Sequence, residues 1–127
     1  MKIKQFKTGP EAKFCISKLK EYYENDIALE SYECKGIEIG FVLHEALNNF
    51  DVESIDIIKL LNFKLEMPND FPKHEKTIKF KLEDEDFEKI NFIKDYYSKK
   101  LKLRLYPSFA VRVSLKNLYM KIFNLNY

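Results

Sequence analysis

Residues 99 to 116 read KKLKLRLYPSFAVRVSLK, and the way this stretch folds decides the architecture of the chain. Leu101, Leu103, Leu105, Phe109, Val111, Val113 and Leu115 all occupy odd positions, with six cations around them. Such alternation is the signature of a half-buried strand. Odd positions stay on one face of a hairpin only when partner numbers sum to an even total. That arithmetic pairs Leu105 with Phe109, Leu103 with Val111 and Leu101 with Val113, around the bend Tyr106-Pro107-Ser108. The stretch predicts a hairpin with an apolar inner face and a basic outer one.

The same pattern recurs earlier. Sliding the chain against itself by 74 positions over residues 2–41 gives ten identities, among them Phe6/Phe80, Lys7/Lys81, Ile16/Ile90, Tyr22/Tyr96, Tyr23/Tyr97 and Tyr32/Tyr106. In the later copy, TIKFKL alternates Ile78, Phe80 and Leu82 against Lys79 and Lys81, a half-buried strand. EDEDFEKINFIKDYYSKK follows, with carboxylates at its start, lysines at its end and Asp84 as N-cap, as the helix dipole favours. Phe87, Ile90, Ile93 and Tyr97 form its apolar stripe, and each Tyr-Tyr pair is expected to put one ring in the core and the other at its rim. In the earlier copy Leu29 would face Ile37 and Ile27 would face Ile39. Leu43, Ala46, Leu47 and Phe50, like Leu118, Tyr119 and Ile122, have helical spacing.

These readings predict an α+β fold: a tandem pseudo-twofold repeat of a (β)αββα unit, its antiparallel hairpins covered by helices. One compact domain, 1–127, would hold two related halves, 1–50 and 75–127, joined by a helix and linker at 51–74. In that joint, DVESIDIIKLLN reads as a helix capped by Asp51 with Val52, Ile55, Ile58 and Leu61 inward, and EMPNDFPKHE reads as linker.

Composition narrows the classes of function. With 127 residues, 46% apolar and 33% charged, the chain is long enough for one packed core. It has no apolar run of bilayer length and no signal-type N-terminus, so a cytoplasmic protein without membrane contact is expected. Cys15 and Cys34 have no CxxC spacing and read as free thiols. Charge is lopsided: residues 1–62 carry 8 lysines against 11 acids, residues 63–127 carry 14 cations against 9 acids, and −3 and +5 sum to the net +2.

Little points to catalysis. His44 and His74 are the only histidines, and HEALN at 44–48 lacks the second histidine of a helical zinc motif. Gly9, Gly36 and Gly40 make no phosphate-cradling loop, and EDED at 83–86 reads as an acidic first helical turn. No enzyme, no metal and no cofactor are expected.

The charge pattern carries the functional expectation. Lys99, Lys100, Lys102, Arg104, Arg112 and Lys116 would line the outer face of the second hairpin with Tyr106 at its tip, and Lys79 and Lys81 would extend that face. Outward residues of a strand lie roughly 7 Å apart, which suits a phosphate backbone. The first hairpin is the reverse, with Asp26, Glu30, Glu33 and Glu38 against Lys35. The leading expectation is a small nucleic-acid-binding regulatory or accessory protein, with DNA or RNA as partner, monomeric or homodimeric. The alternative is a protein-binding inhibitor, antitoxin or immunity-type protein of phage or plasmid origin that docks an acidic protein surface. A third reading has the two hairpins complementing each other within the fold.

One resemblance points to a different local structure. IKFKLEDEDFEKI followed by SFAVRVSL resembles the ribbon-helix-helix DNA-binding family, in which an antiparallel ribbon precedes a helix and a second helix opens with Ser-x-x-aliphatic-Arg. The resemblance implies a helix opening at Ser108, with Val111 and Arg112 in its motif, and ribbon residues Lys79 and Lys81 reading bases. The strand-like alternation of 101–115 and the long interval from Ile90 to Ser108 favour the hairpin instead.

Overall fold

The computed structural model describes residues 2–28, 38–69 and 77–125, with the side chains of 26–28 outside that description. Along the chain come β1 (Lys2–Lys7), α1 (Gly9–Ala28), α2 (Ile39–Asn48), α3 (Ile57–Asn62), β2 (Thr77–Leu82), α4 (Asp84–Leu101) and α5 (Pro107–Ile122). Among the described residues this is a mixed α+β arrangement of five helices and one two-stranded antiparallel ribbon. No helix among the described residues is long and apolar enough to cross a membrane.

The two strands are distant in sequence yet pair along their whole length. Lys2 lies opposite Leu82, Lys4 opposite Phe80, Gln5 opposite Lys79 and Phe6 opposite Ile78. Phe80, Leu82 and Phe6 turn inward, and the Phe6 and Phe80 rings sit 6.0 Å apart. Ile3, Gln5 and Lys7 of β1 and Thr77, Lys79 and Lys81 of β2 therefore share the outer face, and all six are exposed.

Each strand turns directly into a helix. Glu83 caps α4, with its side chain accepting from the Asp86 N–H while Asp86 Oδ2 accepts from the Glu83 N–H at 3.2 Å, a reciprocal capping box one residue before the expected Asp84. Lys99 and Lys100 occupy the last turn of α4, and Lys102 closes it in the left-handed conformation (φ 56). At the start of α1, Gly9 holds φ +81, a backbone angle that favours glycine.

Residues 101–115 do not form the expected hairpin. Leu101 ends α4, residues 102–106 connect, and Pro107 opens α5 at a position where its missing N–H costs nothing. The reason lies in how deeply α5 is enclosed. It packs against α1, α2, α4, α3 and β1, and Phe109, Ala110, Val111, Val113, Ser114, Leu115, Asn117 and Leu118 are all buried. A helix enclosed on nearly every side has no wide polar stripe to impose a 3.6-residue period, so odd-position alternation arises in it as readily as in a strand. The tandem (β)αββα scheme loses its second hairpin to this helix, which opens at Pro107.

The first hairpin fails likewise where it is described: Ile27 belongs to α1, while Ile39 and Phe41 belong to α2, so no ladder joins them. The rest of that expected hairpin, 29–37, with its expected bend at 32–34, lies outside the described residues. The inserted helix is shorter than expected. Asp56, not Asp51, caps α3 by accepting from the Lys59 N–H at 3.2 Å, and Ile57 and Leu60 turn inward while Ile58 and Leu61 are exposed. Val52 and Ile55 are buried as expected, within the turn before it. Of the expected linker, 66–69 has no helix or strand and 70–75 lies outside the described residues.

The core runs between ribbon and helices: Leu19 of α1, Val42 and Leu43 of α2, Phe80 and Leu82 of β2, Ile90 and Tyr97 of α4, and Val111, Leu115 and Leu118 of α5. Tyr97 is fully enclosed, its ring 5.0 Å from Tyr96, 6.1 Å from Phe50 and 6.1 Å from Phe109. Tyr96 sits half-buried beside it, the division expected for that pair, whereas Tyr23 is half-buried and Tyr22 exposed, so neither ring of the earlier pair enters the core.

Candidate nucleic-acid interface

The twelve residues of the ribbon, KIKQFK and TIKFKL, include five lysines and no carboxylate. All five lysines are exposed, though Lys2 and Lys4 lie on the inner side of the ladder and Lys2 Nζ stands 3.7 Å from Asp84. The outer face thus presents lysine at 7, 79 and 81 with Gln5, Thr77 and Ile3 between them. Lysine, glutamine and threonine can hydrogen-bond to base edges, and Ile3 offers an apolar contact to a thymine methyl.

A cavity of about 580 Å³ opens beside the Lys7–Thr77 end of the ribbon. Lys7, Thr8, Gly9 and Pro10 line one side of it, and Tyr106, Ser108 and Arg112, from the opening of α5, line the other. Lys7 and Arg112 are exposed cations there; at the start of α5 Pro107 has no N–H and the Phe109 N–H donates to the Tyr106 carbonyl at 2.9 Å, which leaves the Ser108 N–H facing outward from the helix start. Thr8 is 4% exposed, and its hydroxyl is buried without a hydrogen-bond partner. These groups have the chemistry of an anion pocket.

A second cavity, about 270 Å³, lies by Lys81 at the opposite end of the ribbon. Glu38, Gly40, Phe41 and His44 of α2 and its cap meet Lys81, Glu83 and Asp86 there. His44 Nδ1 is 2.7 Å from Asp86 Oδ1 and 3.8 Å from Glu85 Oε1, while His44 Nε2 lies 3.0 Å from the Asn48 side-chain amide. His44, Glu85 and Asp86 are the one group of three potential metal ligands among the described residues. Both Asp86 oxygens are already engaged, one by His44 and the other by the cap of α4.

The expected basic cluster does not assemble as one ladder. Lys99 and Lys100 lie at the end of α4, where they line a groove with Phe92, Asp95 and Tyr96, and Lys100 Nζ is 5.8 Å from the Tyr96 ring centre. Lys102 and Arg104 are exposed in the connection, and the Arg104 guanidinium lies 5.8 Å from the ring of Tyr106. Lys116 is buried in α5, its Nζ donating to the Phe63 carbonyl at 2.5 Å and standing 3.3 Å from Glu11. Tyr106 and Arg112 of that cluster share a cavity with a ribbon lysine, Lys7. Lys79 and Lys81 stand on the outer ribbon face.

Sequence reasoning passed over Ile3, Gln5, Lys7, Thr77 and Thr8. The signal was present in the identities Phe6/Phe80 and Lys7/Lys81, which extend the parity of TIKFKL back onto IKQFK and mark the same outward positions. Cys15 is fully buried, and burial pushes its thiol far above the ordinary range, with Glu11 adding to the effect. Comparison of the chain with family models, curated proteins and solved structures finds no match in any of the three.

Proposed function

We propose that the protein is a non-enzymatic, duplex-DNA-binding regulatory protein that lays its two-stranded ribbon into the major groove. The observation that carries this reading is the ribbon itself, with five lysines, no carboxylate and six side chains displayed on one open face. The major groove of B-form DNA accepts a two-stranded ribbon, whereas the deep, narrow major groove of A-form RNA does not admit side chains. DNA is therefore preferred over duplex RNA. The α5 cavity, with Lys7, Arg112 and Ser108, grips a phosphate beside the ribbon end.

In this reading the two strand–helix–helix runs are descendants of one ancestral half, and the molecule is a ribbon-helix-helix-like pair carried on a single chain. Support comes from the register. Gln5 pairs with Lys79, positions separated by the interval at which the sequence repeats, so a pseudo-twofold axis would cross the ribbon at its centre. The basic outer face moves, accordingly, from residues 99–116 to the ribbon.

A gel-shift titration of a 30-base-pair DNA duplex and its RNA counterpart at about 50 mM salt tests the proposal. Binding of DNA in preference to RNA is expected, and absence of any DNA affinity at that salt defeats it. The second reading, an inhibitor or immunity-type protein docking an acidic partner, draws on another surface. Phe92 is 59% exposed and lies in a groove with Tyr96, Lys99 and Lys100, an apolar and cationic combination suited to an acidic protein face.

A further inference from the structure

We propose that the protein reads a non-palindromic DNA site in one fixed orientation, as a single chain with one gripping end and one repelling end. The inference rests on the duplex-DNA reading above and specifies the substrate of that surface.

The two halves of the ribbon do not offer the same chemistry. A shift of 74 positions carries Ile3 onto Thr77, Gln5 onto Lys79 and Lys7 onto Lys81. Only the last pair is conservative. At one end of the outer face Lys7 stands opposite Thr77, and at the other Lys81 stands opposite Ile3, with Gln5 opposite Lys79 at the centre. Glutamine favours adenine, lysine favours guanine, threonine accepts either and isoleucine can only meet a methyl group. Two half-sites read by such different side chains cannot be copies of each other.

The flanks differ more strongly still. At the Lys7 end the cavity holds Arg112, Ser108, Gly9 and the unpartnered, buried hydroxyl of Thr8. At the Lys81 end the positions 74 residues away hold Glu38 for Arg112, Glu83 for Gly9 and Asp86 for Ala12, and Glu38, Glu83 and Asp86 all line that cavity. A phosphate entering the first meets Lys7, Arg112 and the Ser108 end of α5. A phosphate entering the second meets Glu38, Glu83 and Asp86, three carboxylates against the single lysine Lys81 and the Asp86-bound His44. Like charges brought together at a protein–DNA contact cost affinity and discriminate between orientations. The duplex is thus clamped on the Lys7 side and left unclamped on the Lys81 side.

The test is selection of the full chain on a duplex pool with 20 randomised base pairs, followed by phosphate-ethylation interference on the best sequence. The expected consensus differs from its own reverse complement, with interference extending beyond the bases on one flank only. Arg112→Glu should abolish that flanking interference and weaken binding about tenfold or more, the size of one charge-assisted contact. The double variant Ile3→Thr with Gln5→Lys should shift the consensus toward a palindrome. A palindromic consensus for the natural protein, a footprint symmetric on both flanks, or duplex binding without any sequence preference would each overturn the proposal while leaving duplex binding intact. Failure to bind any duplex would instead remove the reading on which it stands.

Discussion

Gln5 of β1 lies directly opposite Lys79 of β2 at the middle of the ribbon, and the two are 74 residues apart in the chain. Strands from the two halves of the chain are joined there, with α1, α2 and α3 between them in the sequence. The first strand and the second half of the chain are therefore mutually dependent: each strand is the other's ladder partner, and the Phe6 ring of β1 packs 6.0 Å from Phe80 of β2. Ribbon stability and helix packing should be lost together.

Gly40 lets helix α2 approach the ribbon backbone closely. A Cβ added there would run into the main-chain carbonyl oxygen of Lys81, backbone that cannot swing aside as a side chain would. Gly40→Ala should therefore destabilise the fold by about 1–3 kcal/mol. Chemical denaturation measures it, and an unchanged midpoint would contradict the packing of α2 on β2.

Lys116 serves the interior. Its aliphatic stem is buried within α5 and its Nζ satisfies the Phe63 carbonyl and faces Glu11. Replacement by alanine should lower stability by about 2 kcal/mol, through lost packing and a lost charged hydrogen bond. DNA affinity of the folded variant should change less than twofold. Thermal melting with a binding titration checks both, and weakened binding at unchanged stability would contradict the placement.

Cys15 should be chemically silent in the folded protein. Burial holds its thiol protonated well beyond the ordinary value of 9.0. The sign follows: unfolding lets the thiol ionise, so its contribution to stability is complete below pH 9 and shrinks as pH rises above it. Mass spectrometry of the Cys15 peptide after iodoacetamide treatment should show modification only as the protein unfolds. Rapid labelling under native conditions would contradict the packing of α1 against α5.

The strands, the helix at 84–101 and the inward positions of Phe80, Ile90, Ile93 and Tyr97 were legible because each shows one buried face and one wet one, with charges sorted by the helix dipole. α5 was not, because its enclosure erased the period that separates helix from strand, and Pro107 suits a hairpin bend as well as a helix start. The candidate site moved for the same reason. Once 107–122 is a helix, Lys116 turns inward, Arg112 meets Lys7, and Lys99 and Lys100 stay behind at the end of α4. Pairing of β1 with β2 has no local signal, since 69 residues separate the last of one strand from the first of the other in the chain (77 − 7 − 1).

The most direct test of the account is the salt dependence of duplex binding for three proteins: the natural chain, Lys79→Glu with Lys81→Glu, and Lys99→Glu with Lys100→Glu, each first shown to be folded by circular dichroism. For the natural chain, the logarithm of affinity should fall linearly with the logarithm of salt, with a slope of about −0.9 for each phosphate neutralised. The ribbon variant should lose most of that affinity and flatten the slope, while the α4 variant keeps both. Equal binding by the natural and ribbon-variant proteins, or loss confined to the α4 variant, would contradict it.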